Sequence, residues 1–157
     1  MQLLAATHLE LVTEWQLRAP LERVWEELSH PDAWPAWWRA VQRVEKITDG
    51  GPDGVGAVRR FTWATALPYT LTFELEATRI EPMHIIEGRA RGELDGVGRW
   101  TIAPDGAGTH VRYDWKVDVT KPWQRLLAPV LKPVFAWNHN VIMGWGYEGL
   151  VKRLRGG

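Results

Sequence analysis

The residues able to do chemistry in this 157-residue chain are few and far apart. The most distinctive polar group is Asn138-His139-Asn140, which holds both asparagines of the sequence beside one of its five histidines. An imidazole and an amide on one helix wall can hydrogen-bond a carbonyl or hydroxyl, and His139 could shuttle a proton near neutral pH. The competing reading is that the triplet anchors its helix to a backbone group or an indole N–H. Both readings stay open for His139, while Asn138, about half a turn from the covering side, fits the anchor. Arg59 and Arg60 are neighbours on a period-two run, so one must point inward. If Phe61 and Trp63 face a cavity, Arg59 does too, and an arginine at a pocket mouth favours a carboxylate or other anion. A solvated or snorkelling arginine is the alternative. Tyr113 and Tyr147 bring hydroxyls able to orient a polar handle.

Other chemistries are excluded by what the chain lacks. It has no Cys, which removes thiol nucleophiles, disulfides and thiolate metal sites. Its single Ser, Ser29, precedes His30-Pro31 and sits in no Gly-x-Ser-x-Gly elbow, so it reads as part of a helix terminator. The histidines at 8, 30, 84, 110 and 139 have no metal-ligand spacing, and no Gly-x-Gly-x-x-Gly opens a helix. No metal and no cofactor are expected. With 19 Lys+Arg against 19 Asp+Glu there is no basic excess for nucleic acid, and the balance leaves the oligomeric state open.

The elements that must hold these groups follow from periodicity. Leu9, Leu11, Thr13, Trp15 and Leu17 alternate with mainly polar residues, giving a strand over 8–17. After Pro20, Leu21, Val24, Trp25 and Leu28 recur at helical spacing, and Ala33 to Trp38 reads as a second short turn. Four Asp-Gly pairs, at 49, 53, 95 and 105, then punctuate period-two runs predicted as strands at 41–48, 56–64, 69–81, 84–94, 97–104 and 109–119. From Pro122 the period turns helical, with Pro129 and Pro133 expected to kink or split the first part. Beyond Val134 the positions Ala136, His139, Asn140, Met143, Gly146, Tyr147, Leu150 and Leu154 share one side, which should cover the inner face of the sheet. No secretory signal is visible and the most apolar stretch is too short to span a bilayer, so a bacterial-type cytoplasmic protein without stable membrane insertion is expected.

Eleven tryptophans demand space. Trp15, Trp63, Trp100 and Trp115 fall on inward faces; Trp34, Trp37, Trp38 and Trp123 fall in connections and are expected near a cavity rim, where exposed rings would mark an interface or membrane edge. Trp137 and Trp145 are on helix sides that the sequence leaves unplaced. One strand is small on one face, at Ile86, Gly88, Ala90 and Gly92, which leaves room for a ligand or marks bulges that bend the sheet.

Ala19-Pro20-Leu21-Glu22-Arg23-Val24-Trp25, Leu28-Ser29-His30-Pro31 with Trp34, the run Gly92 to Trp100, Thr120-Lys121-Pro122-Trp123 and Trp137-Asn138-His139-Asn140 with Met143 together resemble the SRPBCC or START-like superfamily, in its polyketide cyclase/dehydrase-like branch. The resemblance spans about residues 8–155. It implies a single α+β domain over 1–157 with the helix-grip fold: a curved antiparallel sheet of about seven strands around a long C-terminal helix, with two short helices after the first strand. It implies a cavity for a lipid-, polyketide- or sterol-like molecule, and as an alternative an aromatase/cyclase that closes and dehydrates a poly-β-keto chain. The expected ligand-facing set is Phe61, Trp63, Tyr69, Phe73, Gly88, Ala90, Trp100, Tyr113, Trp115, His139, Asn140 and Met143. His139, Tyr113 and Arg59 are the candidate proton-transfer or catalytic groups.

Overall fold

The computed structural model describes residues 8–120 and 122–156. Lys121 of the Thr120-Lys121-Pro122-Trp123 motif lies outside them. Seven strands form one sheet: β1 (His8–Leu17), β2 (Val41–Thr48), β3 (Val58–Ala64), β4 (Thr70–Glu81), β5 (Ile85–Gly92), β6 (Leu94–Asp105) and β7 (Gly108–Val119). Helix α1 (Leu21–Leu28) and a 3₁₀ turn (Pro31–Ala36) follow β1, and α2 (Pro122–Gly156) closes the chain. The strand order is β1-β7-β6-β5-β4-β3-β2, antiparallel throughout, so the strands from β2 to β7 form a meander and β1 joins its far edge beside β7. This is the helix-grip arrangement.

The strands form where alternation is cleanest. In β7, Val111, Trp115, Val117 and Val119 are buried while Arg112, Lys116 and Asp118 are exposed. Register shifts between Ala77 and Arg79 in β4, and at two places in β2, mark bulges of the kind that bend a sheet. Glycines serve close approach as well as bending. A Cβ on Gly98 would lie 2.5 Å from the Tyr113 hydroxyl, and one on Gly88 would lie 2.9 Å from Leu75 Cγ, so part of the missing volume is filled by the protein itself.

Asp95-Gly96 is not a turn, in contrast to the sequence expectation. The β5–β6 reversal uses Gly92, at φ +116°, with Glu93 alone between the strands, and Asp95-Gly96 lies within β6. Glycine is needed at 96 for another reason: a Cβ there would stand 2.0 Å from the Lys116 carbonyl oxygen.

The tryptophans of the 3₁₀ region are not on a rim either. Trp34, Trp37 and Trp38 are 5%, 7% and 1% exposed, deeper than connecting residues usually lie. Trp38 meets Trp63 at 4.8 Å between centroids and Trp34 at 5.3 Å, and Trp34 in turn meets Trp100 at 6.1 Å. Aromatic pairs of this kind add roughly 0.5–1.5 kcal/mol each beyond the area they bury. Of the remaining rings, Trp123 and Trp137 are about half exposed on α2, and Trp145 is capped by the Arg39 guanidinium 4.3 Å above its ring.

Helix α2 continues through Pro129 and Pro133 and is not split by them. Each proline still removes one backbone N–H from the helix ladder. Its inward side is turned relative to the expected one: Phe135, Asn138, Ile142 and Met143 face the interior with His139, whereas Asn140 and Tyr147 lie on exposed helix surface. Side-chain hydrogen bonds tie α2 to the rest of the molecule. Trp38 Nε1 donates to the Ile142 carbonyl (2.9 Å), the Ala66 amide donates to Asn138 Oδ1 (2.7 Å), and the Tyr147 hydroxyl donates to the Gln16 carbonyl (3.0 Å).

Candidate functional site

Two cavities lie on the concave side of the sheet, with the indole cluster between them. The first, about 100 Å³, lies between α2 and strands β1, β3, β4, β6 and β7. Its walls are mostly apolar: Leu9, Leu11, Leu71, Val117, Val119 and Phe135 lie beside the expected Trp63, Tyr69, Phe73, Tyr113, Trp115, His139 and Met143. The second, about 660 Å³, lies between α1, the β2–β3 connection and the inner face of β3 to β6. Phe61, Gly88, Trp100 and Arg59 line this one, and Tyr113 borders both. Ala90 is fully buried and lines neither, and Asn140 is exposed outside both. The expected set is therefore divided rather than gathered.

Polar atoms in the first cavity are specific. His139 Nε2 is 3.2 Å from Thr13 Oγ1, and no hydrogen bond within the described residues engages its other ring nitrogen. Burial pushes the imidazole pKa down to about 4, so the ring is neutral near pH 7 and works as a hydrogen-bonding group. Asn138, read from sequence as an anchor, both anchors through Oδ1 and lines the cavity. Sequence reasoning missed Gln124, which is 2% exposed and lines the cavity from the first turn of α2. Gln124 Oε1 and Trp63 Nε1 are buried with no hydrogen-bond partner among the described residues. Leaving such an atom unpaired costs about 1–3 kcal/mol. The Tyr113 hydroxyl makes no hydrogen bond there either, and burial raises its pKa, so it stays protonated and able to donate. Its accessible surface faces the interior, which is why the residue is half-buried by area yet surrounded by protein.

Arg59 takes the inward position and Arg60 the outward one, where it pairs with Glu74 at 2.8 Å. The Arg59 side chain is 19% exposed and donates from Nε to Asp32 Oδ1 (2.9 Å) and from Nη2 to Asp32 Oδ2 (3.2 Å). That hydrogen bond is the main reason the Asp32 carboxyl is held below its usual range. Arg59 and His139 thus line separate cavities, and no one reaction centre can use both as they stand. No group of three or more metal-binding side chains exists among the described residues.

His139 gives a pH signature. Its unfolded value lies near 6.5 and its folded value near 4, so the stability it contributes is full above about 6.5 and drains away as pH falls from there towards 4. Asp32 acts only below 3.8 and stays outside that window. Urea denaturation in steps from pH 7 to 4 should show the decline in wild type and a flatter profile in His139→Gln.

A family model described as polyketide cyclase/dehydrase and lipid transport matches residues 8–154. No curated protein sequence matches the chain. Among solved structures, a START superfamily protein from Mycobacterium smegmatis superposes with a TM-score of 0.76 at 16% identity, over 93% of this chain and 97% of that one. A Thermus thermophilus protein gives 0.75 at 18% identity over 92% and 99%. The Streptomyces aromatase/cyclase Zhui gives 0.72 at 13% identity over 94% of each chain. At these identities the likeness is one of fold.

Proposed function

We propose, from the premise that the chain belongs to the polyketide cyclase/dehydrase and lipid-transport family, that it is a single-domain binder of a small apolar or aromatic molecule held between the sheet and α2. The observation that carries this is a mostly apolar wall with a few polar groups, of which Gln124 Oε1 and Trp63 Nε1 have no partner among the described residues. Hydroxyl or carbonyl groups on a ligand would match these atoms and His139, and an unsubstituted hydrocarbon would not. Size sharpens the reading. A dry cavity of about 150 Å³ takes benzene, so the 100 Å³ space holds at most a single ring and must widen slightly to take one. A polyketide, lipid or sterol would require the first half of α2 to move outward, and that half carries both prolines.

Binding is favoured over cyclisation because aldol closure and loss of water need a proton carrier in the cavity. A histidine with its pKa near 4 is a poor one, and Arg59 sits on the other side of the indoles. A reducing cytoplasmic setting fits the absence of cysteine. No helix among the described residues is long and apolar enough to cross a membrane.

Calorimetric titration with p-cresol tests the site. Wild type should give saturable heat, and Leu71→Phe, which fills the cavity, should weaken binding by at least tenfold. If no ring-sized compound binds, or if Leu71→Phe binds as well as wild type, the site is wrong. Turnover of a poly-keto substrate that His139→Ala abolishes while binding persists would make the protein an enzyme.

A further inference from the structure

The larger cavity has a different chemistry and shares only Tyr113 with the α2 cavity. At about 660 Å³ it falls in the range of ordinary small-molecule sites, about 300–1,000 Å³, while the cavity under α2 falls below it. Trp25, Trp34, Phe61, Ile86 and Trp100 give it flat apolar walls. Gly88 and Gly98, paired across β5 and β6, form part of its floor, where Leu75 packs on Gly88 and the unpaired Tyr113 hydroxyl leans over Gly98 at the inner end.

The charges lie on β2 and β3. Arg59 and Lys46 are direct partners across β2 and β3, so both project to the same side of the sheet, and both line the cavity. Asp32 engages Arg59 through Nε and Nη2 and leaves Nη1 without a partner among the described residues. The carboxylates in the lining are occupied or remote. Glu87 is held by Arg99 at 2.6 Å, Asp53 accepts the Val55 amide at 3.1 Å, and Asp49 is 86% exposed and only loosely paired with Lys46 at 3.5 Å. Of all the charged groups in this lining, Arg59 combines a side chain only 19% exposed with a donor still free, set against an apolar surface where a charge-assisted hydrogen bond is strong.

We infer that this compartment is a second binding site, for a flat or chain-like apolar molecule bearing one carboxylate, with the anion on Arg59 and Lys46 and the apolar body against Phe61, Trp34 and Trp100. Asp32 is then the internal competitor of the ligand: it holds the guanidinium in place and is partly displaced when the anion arrives. This site has a lining separate from the one under α2 except at Tyr113.

Two fluorescent probes that differ by one anionic group provide the test: 8-anilino-1-naphthalenesulfonate, with sulfonate standing in for carboxylate, and neutral N-phenyl-1-naphthylamine. Wild type should bind the sulfonate at least tenfold more tightly. Arg59→Met should abolish that preference while changing the neutral probe less than twofold, and Asp32→Asn should tighten the sulfonate severalfold by freeing the guanidinium. Ala77→Phe, which fills the compartment, should weaken both probes, whereas Leu71→Phe should change neither, so failure here and failure of the α2 site are told apart. Equal affinity of wild type for the two probes would overturn the inference, as would a loss of sulfonate binding in Asp32→Asn. If Arg59→Met does not fold, the wild-type probe ratio and Asp32→Asn decide.

Discussion

Replacing Trp38 with alanine is expected to lower unfolding free energy by about 3–5 kcal/mol, the range for truncating a large buried aromatic, and is the most damaging single truncation in the molecule. Trp38 is 1% exposed, touches Trp15, Trp34, Trp37, Trp63 and Trp100, and ties the 3₁₀ region to α2 through its indole N–H on the Ile142 carbonyl. Alanine leaves a void between the two cavities and removes the indole N–H that the Ile142 carbonyl accepts beside its helical partner. Trp38→Phe keeps most of the ring and loses the hydrogen bond, so it should cost well under half as much. Urea denaturation of the three proteins decides, and a loss below about 1 kcal/mol for the alanine variant would show that the cluster repacks.

The second large effect comes from adding one carbon. Gly149 of α2 packs so closely on the 3₁₀ region that a Cβ would stand 1.7 Å from the Trp37 carbonyl oxygen, which is backbone and cannot rotate aside. Gly149→Ala should therefore cost about 3 kcal/mol, at the upper end of overpacking penalties, even though alanine is about 1 kcal/mol the better helix former. Gly146→Ala meets the Trp38 ring instead, at 2.5 Å. In a Trp38→Ala background that clash is gone, so the two substitutions should fall short of additive in a double-mutant cycle. Full additivity would contradict the packing described.

Much of this architecture is written in residue alternation. The limits of β1 and β2 agree with expectation to the residue, and α1 lies where Leu21, Val24, Trp25 and Leu28 recur at helical spacing. Asp95-Gly96 misleads because a glycine demanded by a neighbouring strand's carbonyl looks the same in sequence as one demanded by a turn. The burial of Trp34, Trp37 and Trp38 was illegible since these rings have no period; only the fold brings them under α2. The helix face was legible to within one position, and that one position exchanges Asn138 for Asn140 at the cavity wall. The separation of Arg59 from His139 depends on where the indoles pack, and pairwise spacing carries no trace of it.

Indole rings 4.8–6.3 Å apart do not absorb light independently. Trp15, Trp34, Trp37, Trp38, Trp63 and Trp100 form a coupled chromophore, with mutual angles from 18° to 79° that give it rotational strength in the near ultraviolet. Excitation reaching any of these rings is shared among its neighbours before it is emitted. Because Trp63 borders one cavity and Trp34 and Trp100 the other, the partition that divides the interior also acts as a built-in optical reporter of both halves.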